Sequence, residues 1–517
     1  MVELIFNFKS FSNLLLFLFI SALSGFWFLR SFKKKNEIDL RPFIIINLLL
    51  FFIWWRLVGI DADESEHLHC AWMISQGMVP FRDFWQHHSP LIWLSLAPVI
   101  ALLKPSVWVF ELSRLFCLGI FSINLFIGWQ LAKKTWGEKA KPSWYLFIIL
   151  NFAIWGEYLW LRPDLFMMFF YLGGIYFTLK MDGRKVYPCL LGGLSFGLAF
   201  SFTCKQYLMP LLPVLVLLLE RPIFYRRKLL VYISSVIISF SPLLFYLNKN
   251  RIFDEFTYWV FEFNKGLLVI SVVLPLVVIL FSVWSALVLF RRYRAHHDYK
   301  ALVLLVAFCL CSVNSLTGIV FPAGGYYLGM WYFICAVLIS GSGASLIFEK
   351  VTSLRLRSLA WGVCCSILLV PNITETRFHR YRDFSVDKKG IGQLLDYCKD
   401  DTCMLILPWH PVFCHDATRL YSSWEYVLAG GFPVVRSDIR RKNIAKYIMA
   451  LKPAAISYMF YRKYLLIDML QLKILRDEEF QSLKDFLNKN YTIQKVEKPL
   501  YYIRNDKATL HEEGVKK

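Results

Sequence analysis

Long apolar runs alternate with short polar clusters over the first 371 residues. A membrane-spanning helix needs roughly 20 mostly apolar residues. By that measure the pattern predicts about twelve spans, at 12–29, 42–60, 108–132, 143–160, 165–180, 187–204, 206–220, 229–247, 266–290, 301–320, 327–348 and 357–371. The clusters between them are unequal in charge. Loops 30–41, 133–142, 180–185, 221–228, 291–300 and 349–357 hold 23 Lys and Arg residues, whereas the alternating loops 61–107, 161–164, 205, 248–265 and 321–326 hold 7. Basic loops stay in the cytoplasm, so the second set, including the long first loop 61–107, is expected outside.

Within that loop, Ser89–Leu103 (SPLIWLSLAPVIALL) is apolar but only 15 residues long and contains Pro98. Counting it as a span would invert every later loop against the charge bias. It is therefore expected to be a helix lying in the outer interface. The amino terminus has the apolar core and small residues of a signal peptide. The stronger basic cluster follows that core, however, which favours a retained helix with its N-terminus outside.

After Pro371 the periodicity changes. CMLILPW (403–409) and AAISYMF (454–460) read as buried strands. RRKNIAKYIMALK and DEEFQSLKDFLNKN read as amphipathic helices, and YTIQKV with LYYIRN as a closing hairpin. The expected organisation has three parts. Residues 1–41 form an extra N-terminal transmembrane helix with its basic cytoplasmic loop, 42–371 a transmembrane catalytic domain, and 372–517 a small extracytoplasmic α/β domain. The fold class is an α-helical polytopic membrane protein.

Composition agrees: 57% of the 517 residues are hydrophobic and only 18% charged, against about a quarter charged in soluble domains. The net charge of +21 does not imply nucleic-acid binding, because the basic residues sit in short loops between spans and not on one soluble face. The twelve cysteines include no CxxC pair, so no zinc site follows from them. Cys398, Cys403 and Cys414, in the polar tail, are open to disulfide formation.

The most polar stretch of the membrane part is Gly59–Pro90, GIDADESEHLHCAWMISQGMVPFRDFWQHHSP. Charged groups beside a bilayer are costly and are usually retained for a purpose. On the expected topology, Arg162-Pro163-Asp164 and Thr203-Cys204-Lys205-Gln206 fall in outer turns on the same side. The candidate site thus holds carboxylates (Asp63, Glu64, Asp164) and cations (Arg162, Lys205, Arg82). A carboxylate can take a proton from an acceptor hydroxyl, and Lys and Arg suit a phosphate. Each residue also has a plainer use. Asp63 and Glu64 suit a helix N-terminus, Asp164 a solvated turn, and Lys205 snorkelling, while Arg82 could pair with Asp83 to fix a turn. His67, His87 and His88 are candidate acceptor-binding groups. No metal site is predicted, since His67 and His69 lie on different helix faces; a divalent cation is left open.

With these residues in place, DADESEHLHCAWMISQGMVPFRDFWQHHSPL resembles the first outer loop of the GT-C glycosyltransferases. More particularly, it resembles the family-39-like branch that includes protein O-mannosyltransferases and bacterial aminoarabinose transferases. The resemblance rests on Asp63-Glu64, Gly77, the turn Pro80-Phe81-Arg82-Asp83-Phe84 and the later Arg162-Pro163-Asp164, and it covers roughly 42–370. It implies an inverting transferase in a bacterial inner or plasma membrane, using a polyprenyl-phosphate sugar donor. The site would face outward, and the acceptor would be a lipid, glycan or protein. The rival expectations are a transporter or flippase of lipid-linked sugars, and a polymerase or ligase joining lipid-linked glycans.

Overall fold

The computed structural model describes residues 59–84, 86–103, 105–137, 160–263, 276–320, 384–398, 402–404, 412–413, 415–416, 454–457, 477–495 and 500–507, with a few isolated positions besides. The expected spans at 12–29 and 357–371, nearly all of 42–60, 143–160 and 327–348, the first part of 266–290 and most of the helix RRKNIAKYIMALK lie outside the described residues. The described chain falls into two compact units. One is drawn from Leu115–Phe245 and Val269–Tyr381, the other from Gly59–Arg114, Tyr246–Leu268 and Arg382–Lys517.

In the first unit the helices follow the apolar runs. After α1 (Ala62–Ser75) and α2 (Leu91–Leu102), which belong to the second unit, α3 runs Trp108–Trp136, its residues up to Arg114 counting with the second unit and the rest with the first. It is followed by α4 (Pro163–Thr178), α5 (Tyr187–Phe202), α6 (Leu211–Glu220), α7 (Tyr225–Lys249), α8 (Phe253–Thr257, which belongs to the second unit), α9 (Leu276–His296) and α10 (Tyr299–Val320). Among the described residues, α3 and α7 are long and apolar enough to cross a membrane. On α7 the side chains of Leu230, Ile237, Ile238 and Phe245 are more than half exposed, an apolar surface that suits lipid better than water.

α4 and α5 are an antiparallel pair whose contact is made by small residues. A Cβ on Gly174 would fall 2.6 Å from the Phe196 ring, and one on Gly193 would fall 2.5 Å from the Tyr232 carbonyl oxygen of α7. Gly197, one turn further along α5, leaves no room for a Cβ beside Ser239 of α7. Glycines spaced four apart let helix backbones approach closely where there is no water to drive them together. Buried Tyr171, Phe196 and Tyr232 fill the remaining space.

In the second unit α2 forms the short helix expected within Ser89–Leu103. Its 12 residues are about 18 Å long, well short of a bilayer core of ~30 Å. It packs on α1 through Trp93, which is fully buried. The carboxy-terminal part contributes α11 (Phe384–Cys398), β1 (Thr402–Met404), β2 (His415–Asp416), β3 (Ala455–Ser457), α12 (Asp477–Asn490), β4 (Tyr491–Lys495) and β5 (Leu500–Arg504). The sheet order is β2-β1-β3-β5-β4. β1 lies parallel to β2 and β3, and the β4–β5 hairpin is antiparallel with Tyr491 opposite Arg504. The hairpin, the two expected strands and helix α12 are thus where the pattern put them. Strand β2 is an addition to the expected strands. Cys403 in β1 is disulfide-bonded, and Cys398 is buried at the end of α11.

Candidate functional site

The charged residues singled out in the sequence fall into two groups, one in each unit. In the second unit, Asp61 is the N-cap of α1: its Oδ1 accepts from the Asp63 amide at 3.0 Å. A short acidic side chain at this position meets amides that helix geometry leaves unpaired, and the helix dipole favours further negative charge in the first turn. Asp63 and Glu64 occupy that turn. Their fates differ. Asp63 is half-exposed, whereas Glu64 is fully buried.

Glu64 is clamped by Arg114 of α3. The guanidinium donates from Nε to Oε1 at 2.9 Å and from a terminal nitrogen to Oε2 at 2.8 Å. Both side chains are completely excluded from solvent. The same guanidinium nitrogen donates to the Gly59 carbonyl, and Ser113 donates to Oε1 at 3.3 Å. Burial pushes the Glu64 carboxyl above its ordinary value, and the Arg114 charge and hydrogen bonds oppose it. Glu64 therefore ties the start of α1 to the first turns of α3. The sequence reading missed Arg114, although a lone arginine six residues into an apolar span signals a buried partner.

α1 ends at Gly77, whose φ of +85° lets the chain close a left-handed cap. The Gly77 amide donates to the Ile74 carbonyl and the Met78 amide to that of Met73. The following turn is built around Asp83. Its Oδ2 accepts from the Val79 amide at 2.7 Å, and its two oxygens accept from Arg82 at 3.0 and 2.8 Å. Phe81 and Phe84 point inward, with Phe81 edge-on to Phe256. Arg82 is thus engaged with Asp83, the plainer of the two uses its position suggested.

His67 and Trp93 are linked by an indole N–H donated to His67 Nδ1 at 2.9 Å. His69, on another face of α1, has its Nδ1 2.7 Å from the Val412 carbonyl oxygen. The His69 and Trp72 rings stack, and Trp72 meets Phe413 edge-on. The carboxy-terminal part is further joined to the foot of α3 by Lys388, which donates to Glu111 at 2.6 Å and lies 3.6 Å from the centre of the Trp108 ring. Glu66, His87 and His88 present donors that could hold a metal ion.

In the first unit, the start of α4 and the end of α5 lie together because the two helices run antiparallel. Arg162 is the N-cap residue of α4, Pro163 takes the first helical position and Asp164 follows in the first turn. Proline suits that position because its missing N–H would be unpaired there anyway. Lys205 lies in the short 3₁₀ turn Cys204–Gln206 after α5. It donates to both Asp164 oxygens, at 2.9 and 3.0 Å, with each side chain about 13% exposed. Arg162 is buried, and its guanidinium lies 5.0 Å from the centre of the Trp160 ring. Below this charged turn, Gln206 accepts from Asn314 at 3.0 Å through its side chain, and its backbone carbonyl accepts from the Tyr171 hydroxyl at 2.9 Å. The two turns that the topology brought to one side are therefore joined by an ion pair.

The fold that these elements make is shared with a solved structure. Among solved structures the chain is similar to ArnT from Cupriavidus metallidurans in the apo state, with a TM-score of 0.54 and 11% identity, over 90% of this chain and 97% of that one. ArnT bound to undecaprenyl phosphate aligns at 0.43 and 14% identity over 72% and 74% of the two chains. The apo oligosaccharyltransferase of Archaeoglobus fulgidus aligns at 0.34 and 10% identity, over 74% and 58%. No family model and no curated protein sequence matches the chain.

Proposed function

We propose that the protein transfers a sugar from a polyprenyl-phosphate donor to an acceptor hydroxyl or amine at the outer face of the membrane, with inversion at the sugar carbon. The observation that carries this is the charged turn in which Asp164 holds Lys205 beside Arg162, in a chain with the fold of ArnT, a protein that has been crystallised with undecaprenyl phosphate. The leaving group of such a donor is already a phosphate ester. It departs as a stable anion and needs charge stabilisation more than a proton. Lys205 and Arg162 supply that positive charge.

The acceptor hydroxyl is a poor nucleophile at neutral pH and must lose its proton as the new bond forms. Asp63 is assigned as that base. The resemblance puts the family's Asp-Glu pair at Asp63-Glu64, and Asp63 stands half-buried in the first turn of α1, while Glu64 is buried against Arg114. Residues 42–371 act as the catalytic membrane domain and 372–517 as an outer α/β domain. The disulfide at Cys403 supports the outer placement, because such bonds persist in oxidising compartments.

The test is to reconstitute the purified chain in vesicles with a radiolabelled polyprenyl-phosphate sugar. Release of the sugar to water or to an added acceptor is expected. Movement of the intact lipid between leaflets without cleavage would identify a transporter instead.

A further inference from the structure

The first outer loop carries a second constellation that the transfer reaction does not use. Glu66 projects from α1 one turn after Asp63, and His87 and His88 follow the Phe84 turn. One carboxylate oxygen of Glu66 and one ring nitrogen from each histidine lie within 4.8 Å of one another, Glu66 buried and the histidines half-buried. We propose that Glu66, His87 and His88 bind a divalent metal ion of the zinc type.

Two imidazole nitrogens and one carboxylate oxygen are a donor set that zinc takes with its remaining position open to water. Zinc–ligand distances of about 2.0–2.2 Å put tetrahedral donors about 3.4 Å apart. The three donors, within 4.8 Å of one another, would draw together to that spacing around the ion.

The surroundings hold these ligands as an outer shell does. Gln86 donates its amide N–H to Glu66 Oε1 and accepts from the His87 backbone amide at 3.0 Å through its own oxygen, so one side chain orients two ligands. The His87 and His88 rings lie 4.1 Å apart, centre to centre, and His88 meets the His67 ring edge-on at 5.2 Å. His67 itself is not a ligand. An indole N–H can only donate, so the Trp93 bond makes His67 Nδ1 an acceptor and puts the ring proton on Nε2. Neither nitrogen of His67 then has a lone pair to give to a metal. The ion would staple residues 86–88 to α1, within one helical turn of Asp63.

The test reads the ion alone, so its failure and a failure of the transfer reaction are separately visible. The full chain is purified without a polyhistidine tag, stripped with a chelator and titrated with Co²⁺ as a coloured substitute for Zn²⁺. The expected result is saturation at one Co²⁺ per chain, with visible d–d absorption that Zn²⁺ displaces. His87→Ala and His88→Ala should each weaken binding at least about tenfold, while His296→Ala on the exposed end of α9 leaves it unchanged. Should either histidine variant fail to give monodisperse protein, Glu66→Gln decides the matter, since it keeps the side-chain volume and removes the charge. Absence of saturable binding, or binding that Glu66→Gln and the histidine variants leave intact, would overturn the proposal.

Discussion

At the scale of single residues, the consecutive acids of the first loop divide into distinct roles. Asp61 caps α1, Asp63 stands at its half-exposed first turn, and Glu64 is buried against Arg114. Sequence spacing alone could not make that division. The resemblance pointed to the Asp63-Glu64 pair as a unit, but the partner of Glu64 is 50 residues away, and only packing brings it near. Removing one member of a buried ion pair leaves an uncompensated charge and typically costs about 3–5 kcal/mol. Arg114→Met is therefore expected to lower the thermal midpoint sharply, and the double variant Arg114→Met with Glu64→Leu to recover most of the loss. If the single variant melts as the wild type does, the clamp does not contribute to the fold. Lys205 makes a complementary case. The topology placed Lys205 and Asp164 on one side, and the two are in contact. Lys205→Ala should raise KM for the lipid donor more than it lowers kcat, as steady-state kinetics with donor and acceptor varied separately would show. An unchanged donor KM would mean that the lysine serves only to hold Asp164.

At the scale of elements, the apolar pattern located α3, α4, α5, α7 and α10 to within a few residues, whereas the 3₁₀ turn Cys204–Gln206 shortens the expected span 206–220 to α6, α9 runs on to His296 past the expected end at 290, and α8 and α11 were not expected. The interface between α5 and α7 was not legible, because glycines scattered through an apolar run do not announce which neighbour they face. Gly193 and Gly197 meet α7 so closely that a side chain has nowhere to go, the nearest atom to Gly193 being a backbone carbonyl that cannot rotate away. Overpacking of this kind costs about 1–3 kcal/mol or more. Gly193→Val should reduce the monodisperse fraction after extraction into detergent. Gly119→Ala, where a Cβ meets nothing within 4 Å, should leave it unchanged. Equal behaviour of the two variants would refute the close approach. In the carboxy-terminal part, alternation exposed the β4–β5 hairpin, but the two-residue strand β2 is too short to have a period.

For the whole molecule, hydropathy and loop charge carried the reading furthest. They gave a helical membrane protein with an α/β tail, and the fold agrees with that class. What they could not give was the way the tail is used. His69 and Trp72 of α1 touch Val412 and Phe413, and Lys388 bonds Glu111. Contacts between residues more than 270 positions apart leave no trace in periodicity. The expected topology makes its own prediction. Single cysteines introduced near Lys134 and Arg292 should be shielded from an impermeant thiol reagent in intact cells, and those near Gln86 and Lys389 should react. The reverse pattern would place the charged turns on the wrong side for an outward-facing donor.

The central claim is that this fold uses a carboxylate at the start of α1 to activate an acceptor, and it is tested most directly by comparing two neighbouring aspartates. Sugar transfer from a polyprenyl-phosphate donor is measured for the wild type, Asp63→Asn and Asp61→Asn. Asparagine caps a helix about as well as aspartate, so Asp61→Asn should keep its fold and most of its turnover. Loss of a positioned base costs about a hundred- to ten-thousand-fold, so Asp63→Asn should lose turnover by that factor while donor affinity and thermal midpoint stay close to the wild type. Near-normal turnover in Asp63→Asn, with the loss falling on Asp61→Asn instead, would contradict the assignment.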